Sequence, residues 1–320
     1  MKLFENLFLE QDNIRLGVSL AILSAAMLAI NDVLIKFLLM GLPFYEIIFI
    51  RSLIIILGLI TFKAMGSKDD GQKNDLSYCM FLRLLRAIFL ALTGLLFFYS
   101  VLFIPIALAT ALALSFPILT TFGAGIFLKE KLGKEKVLYV LFGFIGSMMI
   151  LEPLKTNSLS TNELPFLAAL MCGPLLSFYL VSTRYLAKKV SLITLTLEPQ
   201  IGLLLISTMI FIITPELLLS FKDTIPEMSL FFANWKIPAS SYLLPLVVLG
   251  LNGLFLFYLS IKSYKLAEAS IIAPFEYFII PFTMALAFCL LGEIPNFYQA
   301  CGALLVFGAL FLIKKRIGQK

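Results

Sequence analysis

The sequence predicts an all-α integral membrane protein, ten transmembrane helices arranged as two five-helix repeats of opposite orientation. Three observations lead there. Of 320 residues, 61% are hydrophobic and 14% charged, where a soluble domain usually carries about 25% charged residues. Apolar runs recur every 20 to 30 residues from Leu16 to Ile313 and leave no stretch for a water-soluble module. A block of the first half returns in the second at an offset of 159 residues.

Because lipid offers the backbone no hydrogen-bond partners, each run of about 20 apolar residues has to be a helix that satisfies its own amides. The ten runs cover residues 16–40, 43–62, 83–103, 107–128, 135–152, 163–186, 192–214, 240–261, 268–291 and 296–314. The first is about twice as long as a signal-peptide core. Glu5, Glu10 and Asp12 precede it and no small-residue cleavage site follows, so it is expected to stay as a span. Turn-like connections such as Gly41-Leu42-Pro43 and Gly292-Glu293-Ile294-Pro295 fit antiparallel neighbours. Residues 1–15 read as a cytoplasmic segment, with Leu3, Phe4, Leu7 and Phe8 at helical spacing along the membrane surface. Pro215 to Ser240 is the longest outer loop, with Phe231, Phe232 and Trp235 suited to the interface.

Lysine and arginine collect on the cytoplasmic side of such proteins. Alternate connections place 20 of them on one side and three, Lys155, Lys222 and Lys236, on the other, which puts both termini in the cytoplasm of a bacterial inner membrane. The net charge of +6 follows from this asymmetry, so nucleic acid is not an expected partner. With no histidine, serine-histidine pairs, HExxH zinc sites and histidine proton relays are excluded. Cys79, Cys172, Cys289 and Cys301 show no CxxC spacing and are expected as packing residues. No catalytic set, metal site, cofactor or GxxxxGK[ST] loop is expected, and the partners are a small-molecule metabolite and the bilayer, with the chain acting as a monomer or homodimer.

Gly94-Leu95-Leu96-Phe97-Phe98-Tyr99 matches Gly253-Leu254-Phe255-Leu256-Phe257-Tyr258, and the same offset pairs Tyr139 with Tyr298 and Gly143 with Gly302. A shared register across two separate spans argues for duplication, with units at 16–153 and 163–315. Five spans is an odd number, so the second copy enters from the opposite side, as in many secondary transporters with a site between inverted halves. Prolines fall inside the fourth (Pro117), sixth (Pro174), seventh (Pro199), eighth (Pro245) and ninth (Pro274, Pro281) runs. Bends at corresponding places, here the fourth and ninth, point to the substrate path.

An ionisable group at mid-bilayer costs about 2.5 to 3.5 kcal/mol on insertion scales, so each needs a partner or a purpose. Lys36, Glu46, Arg86, Glu152, Glu268 and Glu293 lie near helix ends and are expected to snorkel or be solvated. Asp32 and Arg51 lie about eight residues from the ends joined by the 41–43 turn, ~12 Å, and so share one depth and are placed to pair. Glu198 and Glu276 have no opposite charge nearby in sequence. Tyr99, Tyr179, Tyr258 and Tyr277 combine a phenol with a ring able to stack on a planar ligand. These eight residues are the candidate substrate-binding set.

The stretch Leu28 to Lys36, then Pro43-Phe44-Tyr45-Glu46 with Arg51, resembles the opening of EamA-type proteins of the drug/metabolite transporter superfamily. Ser115-Phe116-Pro117 followed by Phe127-Leu128-Lys129-Glu130-Lys131 resembles the close of the first EamA repeat. Ala267-Glu268-Ala269-Ser270 through Ala273-Pro274-Phe275-Glu276-Tyr277 to Gly292-Glu293 resembles the close of the second. The resemblance spans about residues 16 to 315 and implies ten helices, a central cavity and both termini inside; Lys129 stands where the first repeat commonly has glycine. Within the family, the combination looks most like the bacterial branch that includes S-adenosylmethionine and riboflavin transporters. The residues favour a molecule with a carboxylate for Arg51, positive centres for Asp32, Glu276 and Glu198, and a flat ring for the tyrosines. S-adenosylmethionine has all three; riboflavin and aromatic amino acids meet fewer of these demands. The expectation is a secondary transporter, exchanging or facilitating, rather than an enzyme or channel. Asp32 is the one aspartate well inside a span, which leaves no paired-aspartate protease arrangement.

The charge asymmetry predicts that reporter fusions after Lys68, Lys134, Lys189 and Lys320 report cytoplasm and those after Asn157 and Lys222 report the outside. Two or more reversed reporters would contradict the ten-span reading.

Overall fold

The apolar runs fold as helices from end to end. A computed structural model describes residues 13–39, 41–65, 79–104, 106–151, 163–221, 235, 238–291 and 296–317, and no strand occurs among them. In chain order the helices are α1 Ile14–Leu38, α2 Phe44–Ala64, α3 Met80–Phe103, α4 Ile106–Ala113, α5 Phe116–Phe127, α6 Lys134–Leu151, α7 Leu164–Ala187, α8 Leu192–Phe221, α9 Ser240–Leu266, α10 Ala269–Ile272, α11 Ile279–Leu291 and α12 Phe297–Ile317, with a 3₁₀ segment Ala273–Phe278 between α10 and α11. Among the described residues, eight helical segments are long and apolar enough to cross a membrane, and Phe297–Gly308 is a shorter apolar one. α6 is not one of the eight: Lys134, Glu135 and Lys136 occupy its first turn. The segment 1–12, the side chain of Lys36, Glu152, Glu293, Phe231 and Phe232 lie outside the described residues.

Two runs are interrupted. The fourth breaks at Leu114-Ser115, just before Pro117, which has no N–H to give and whose ring obstructs the preceding turn. The ninth breaks at the 3₁₀ segment that contains Pro274. Pro174 and Pro245, by contrast, lie within continuous helices. The two breaks meet: α5 packs on both α10 and the 3₁₀ segment, and the Tyr277 hydroxyl donates to the Leu114 carbonyl at 3.2 Å, a carbonyl freed where the helix stops.

Helix packing follows a pattern. α1 packs most extensively on α9, α3 on α7, α6 on α12 and α2 on α8. Exchanging the first half for the second turns the α1–α9 pair into the α7–α3 pair and returns each of the other two to itself. The main core lies where the breaks meet, around Val18, Ala25, Phe116, Tyr264, Phe275, Tyr277 and Val306.

Lys129 has φ 57, the left-handed region that favours glycine. This backbone turn lets the Glu130 N–H fold back to the Ala124 carbonyl at 3.2 Å and aims the Glu130 carboxylate at α10. Both its oxygens accept there, from the Ala269 N–H at 3.0 Å and the Ser270 N–H at 2.9 Å, amides that a helix start otherwise leaves unbonded. All four cysteines are free thiols.

α6 and α12 touch backbone to backbone. A Cβ on Gly146 would sit 2.8 Å from the Gly302 carbonyl oxygen, and one on Gly302 would sit 2.6 Å from that of Gly146. Neither neighbour can rotate away, so Gly146→Val is expected to lower thermal stability by roughly 2 kcal/mol or more, read as the melting temperature of the purified protein. An unchanged melting temperature would contradict this packing.

Candidate functional site

Six of the eight candidate residues fall into two polar groups at opposite ends of the helices. The first group is Asp32 and Arg51. Asp32 is six residues before the end of α1 and Arg51 seven after the start of α2, so both lie about 10 Å in from the intervening turn. They interact electrostatically, yet among the described residues no direct ion pair joins them. Asp32 is exposed in the structure and Arg51 half-buried. Arg51 lies with its guanidinium carbon 5.2 Å from the centre of the Phe257 ring of α9, against Gly253, and its Nε makes no hydrogen bond. Asn252, one residue before Gly253, donates to the Met27 carbonyl at 2.8 Å and ties α9 to α1 at this level. The pair therefore offers a carboxyl and a guanidinium with no direct ion pair between them, the guanidinium lying over the Phe257 ring.

The second group lies at the other end of the helices. Glu198, in α8, accepts from Arg83 of α3, with Arg83 Nε 2.7 Å from Oε1 and Nη2 bonded to the same oxygen. The pairing spans 115 residues of sequence. Sequence reasoning left Glu198 without a partner because it began the third span at residue 83; the helix starts at Met80, which carries Arg83 and Arg86 inside on one face. Arg86, expected near a helix end, is fully buried. It donates to Thr183 Oγ1 at 3.0 Å and to the Leu195 carbonyl, and lies 4.9 Å above the Tyr179 ring of α7. Glu46 is likewise fully buried, in the first turn of α2, where the helix dipole favours a carboxylate.

Glu276 sits in the 3₁₀ segment, 6% exposed, beside the Tyr264 hydroxyl and close enough to Tyr179 to interact. Tyr277 spends its hydroxyl on Leu114 and its ring against Gly143. Tyr99 packs on Phe103 at 5.0 Å between ring centres, and Tyr258 on Phe62 at 6.0 Å. Tyr179 thus joins Arg86, Glu276 and Tyr264, residues of which sequence reasoning selected only Tyr179 and Glu276. The missed pair, Arg83 and Arg86, carried a legible signal in their spacing of three.

Beyond this group the helix ends are tied by further polar contacts. Arg184 donates to the carbonyls of Tyr264 at 3.0 Å and Lys265 at 2.6 Å, with its Nε 3.7 Å from Glu130. Lys136 bonds Glu268 and reaches Ser270 Oγ at 2.9 Å. Glu268, expected to be solvated, is thus a partner in an ion pair at the surface.

The model of the EamA-like transporter family matches twice, over residues 15–152 and 163–314. A protein named S-adenosylmethionine uptake transporter from Rickettsia felis is 24% identical over 308 residues, 95% of this chain and 95% of its own. A riboflavin transporter from Vibrio cholerae is 27% identical over 260 residues, 80% of this chain and 77% of its own. A solved crystal structure at 18% identity shares the fold, with a TM-score of 0.74 over 95% of this chain and 98% of that one.

The Arg83–Glu198 pair is expected to be structural. Arg83→Ala, which leaves the carboxylate of Glu198 without its partner, should lower stability by roughly 2 kcal/mol. The double variant Arg83→Leu with Glu198→Leu should recover part of that loss in thermal denaturation, and full additivity of the two single changes would contradict the pairing.

Proposed function

The chain belongs to the EamA-like transporter family, and from that premise we propose that it is a secondary transporter of S-adenosylmethionine, working by exchange or facilitation. It is a multi-pass membrane protein; in this reading it spans the bacterial inner membrane ten times as two inverted five-helix units, 16–153 and 163–315, with both termini in the cytoplasm. The exchange-invariant helix pairing and the two family matches support the inverted arrangement. The Asp32–Arg51 group then lies towards the outside and the Arg86–Glu276 group towards the cytoplasm.

The observation that carries the substrate reading is Asp32 and Arg51, opposite charges at one depth of neighbouring helices with no direct ion pair between them. In a low-dielectric bundle such an arrangement is stabilised by a ligand that presents both signs. The amino-acid carboxylate of S-adenosylmethionine fits Arg51, its ammonium or sulfonium fits Asp32, and its adenine fits the Phe257 face beside Arg51. Glu276 with Tyr179 offers a second acid and ring further along the path. The relatives named for S-adenosylmethionine cover 95% of this chain, which supports the same choice. Riboflavin is the second reading, favoured by the 27% identity to the Vibrio cholerae protein; it brings the ring but no cation for Asp32.

Proteoliposomes preloaded with labelled S-adenosylmethionine are expected to release it faster when unlabelled compound is added outside. S-adenosylhomocysteine, lacking the sulfonium charge, should compete more weakly or serve as the exchanged partner. Arg51→Ala and Glu276→Gln should reduce exchange at least about tenfold while still inserting and purifying. Saturable transport of riboflavin or an amino acid with no effect of S-adenosylmethionine would move the assignment to that compound.

A further inference from the structure

Arg86 is the one arginine among the described residues with no exposed surface at all. A guanidinium has five N–H donors. Arg86 uses two of them, on Thr183 and on the Leu195 carbonyl, and its Nε is fully buried with no acceptor. The carboxylate nearest in charge, Glu198, is engaged through Oε1 by two nitrogens of Arg83. Glu198 Oε1 is thus taken by Arg83, and among the described residues no carboxylate is hydrogen-bonded to Arg86 itself. Tyr179 beneath the guanidinium supplies a neutral ring face, and Thr183 and Leu195 fix its plane from α7 and α8. A guanidinium held from two helices, with Nε unused and a second N–H on each Nη, can meet a carboxylate through two parallel N–H bonds.

We propose that Arg86 is a second carboxylate-binding station, on the cytoplasmic side of Asp32–Arg51, which takes the carboxylate of the transported molecule when the inner end of the helices opens. The proposal rests on the transporter reading given above. It assigns different work to the two arginines: Arg51 receives the carboxylate next to an exposed acid, and Arg86 receives it next to an enclosed ring with no acid bonded directly to the guanidinium. A carboxylate leaving Arg51 thus has a second cation to move to, which keeps it from crossing the bundle as an uncompensated charge.

The test uses the full-length protein in oriented proteoliposomes, with S-adenosylmethionine and its decarboxylated analogue as paired probes. Arg86→Gln is expected to raise the half-saturation concentration for the carboxylate compound about tenfold, and for the decarboxylated compound less than about threefold. The loss should be larger by at least about fivefold when substrate is presented at the cytoplasmic face than at the outer face. Arg86→Lys, which keeps the charge but not the fork, is expected to show the same preference at about threefold. Equal losses for both compounds, or equal losses from both faces, would overturn the proposal and leave Arg86 as a brace between α3, α7 and α8. If Arg86→Gln does not fold, Arg86→Lys decides alone, and wild-type discrimination between the two compounds would count against the station. Failure of the unaltered protein to exchange S-adenosylmethionine counts against the substrate reading instead. The same pair of measurements then applies to whichever carboxylate compound is carried and to its decarboxylated counterpart.

Discussion

A polar group inside a bilayer has no water to fall back on, and the rest of this structure follows from how each such group is satisfied. Backbone amides are satisfied within the helices, and where helices break the bonds are made across the bundle. Tyr277 takes the Leu114 carbonyl and Glu130 takes the Ala269 and Ser270 amides. These bonds join the first half of the chain to the second at the two interrupted segments. The interruptions are therefore joints whose stability depends on their partners staying in register.

Side-chain charges divide by the same rule. Arg83 with Glu198, Arg184 with Glu130 and Lys136 with Glu268 are satisfied by one another, and they gather at the end of the helices where α5, α7, α9 and α10 meet. Asp32 and Arg51 are not bonded to each other, and Arg86 keeps an unused donor. Ion pairs thus hold one end of the helices together, while Asp32, Arg51 and Arg86 have no ion pair among the described residues.

The helical runs were legible in composition and spacing because lipid tolerates so few alternatives, and the breaks were legible in Pro117 and Pro274. Boundaries were less so. Starting the third span three residues late put Arg83 and Arg86 at the surface and left Glu198 without its partner, an ion pair across 115 residues that no local pattern reveals. Glu46 and Arg86 were read as snorkelling because only their distance from a helix end is visible in sequence, whereas burial depends on which face meets which neighbour. The depth shared by Asp32 and Arg51 was readable from the short turn between α1 and α2; that they remain without a direct bond was not. The positive φ of Lys129 is a conformation that glycine adopts freely: the turn aims Glu130, and lysine meets the requirement at the expense of some backbone strain.

The central claim is that the space in front of Asp32 and Arg51 is where the transported molecule sits. The most direct measurement places a cysteine at Phe257, whose ring borders Arg51, in a chain with Cys79, Cys172, Cys289 and Cys301 replaced. Its modification by a membrane-impermeant thiol reagent is then followed from the outer face. The account predicts labelling from that face, slowed about tenfold or more by saturating S-adenosylmethionine. Labelling at the same rate with and without any compound that the protein transports would contradict it.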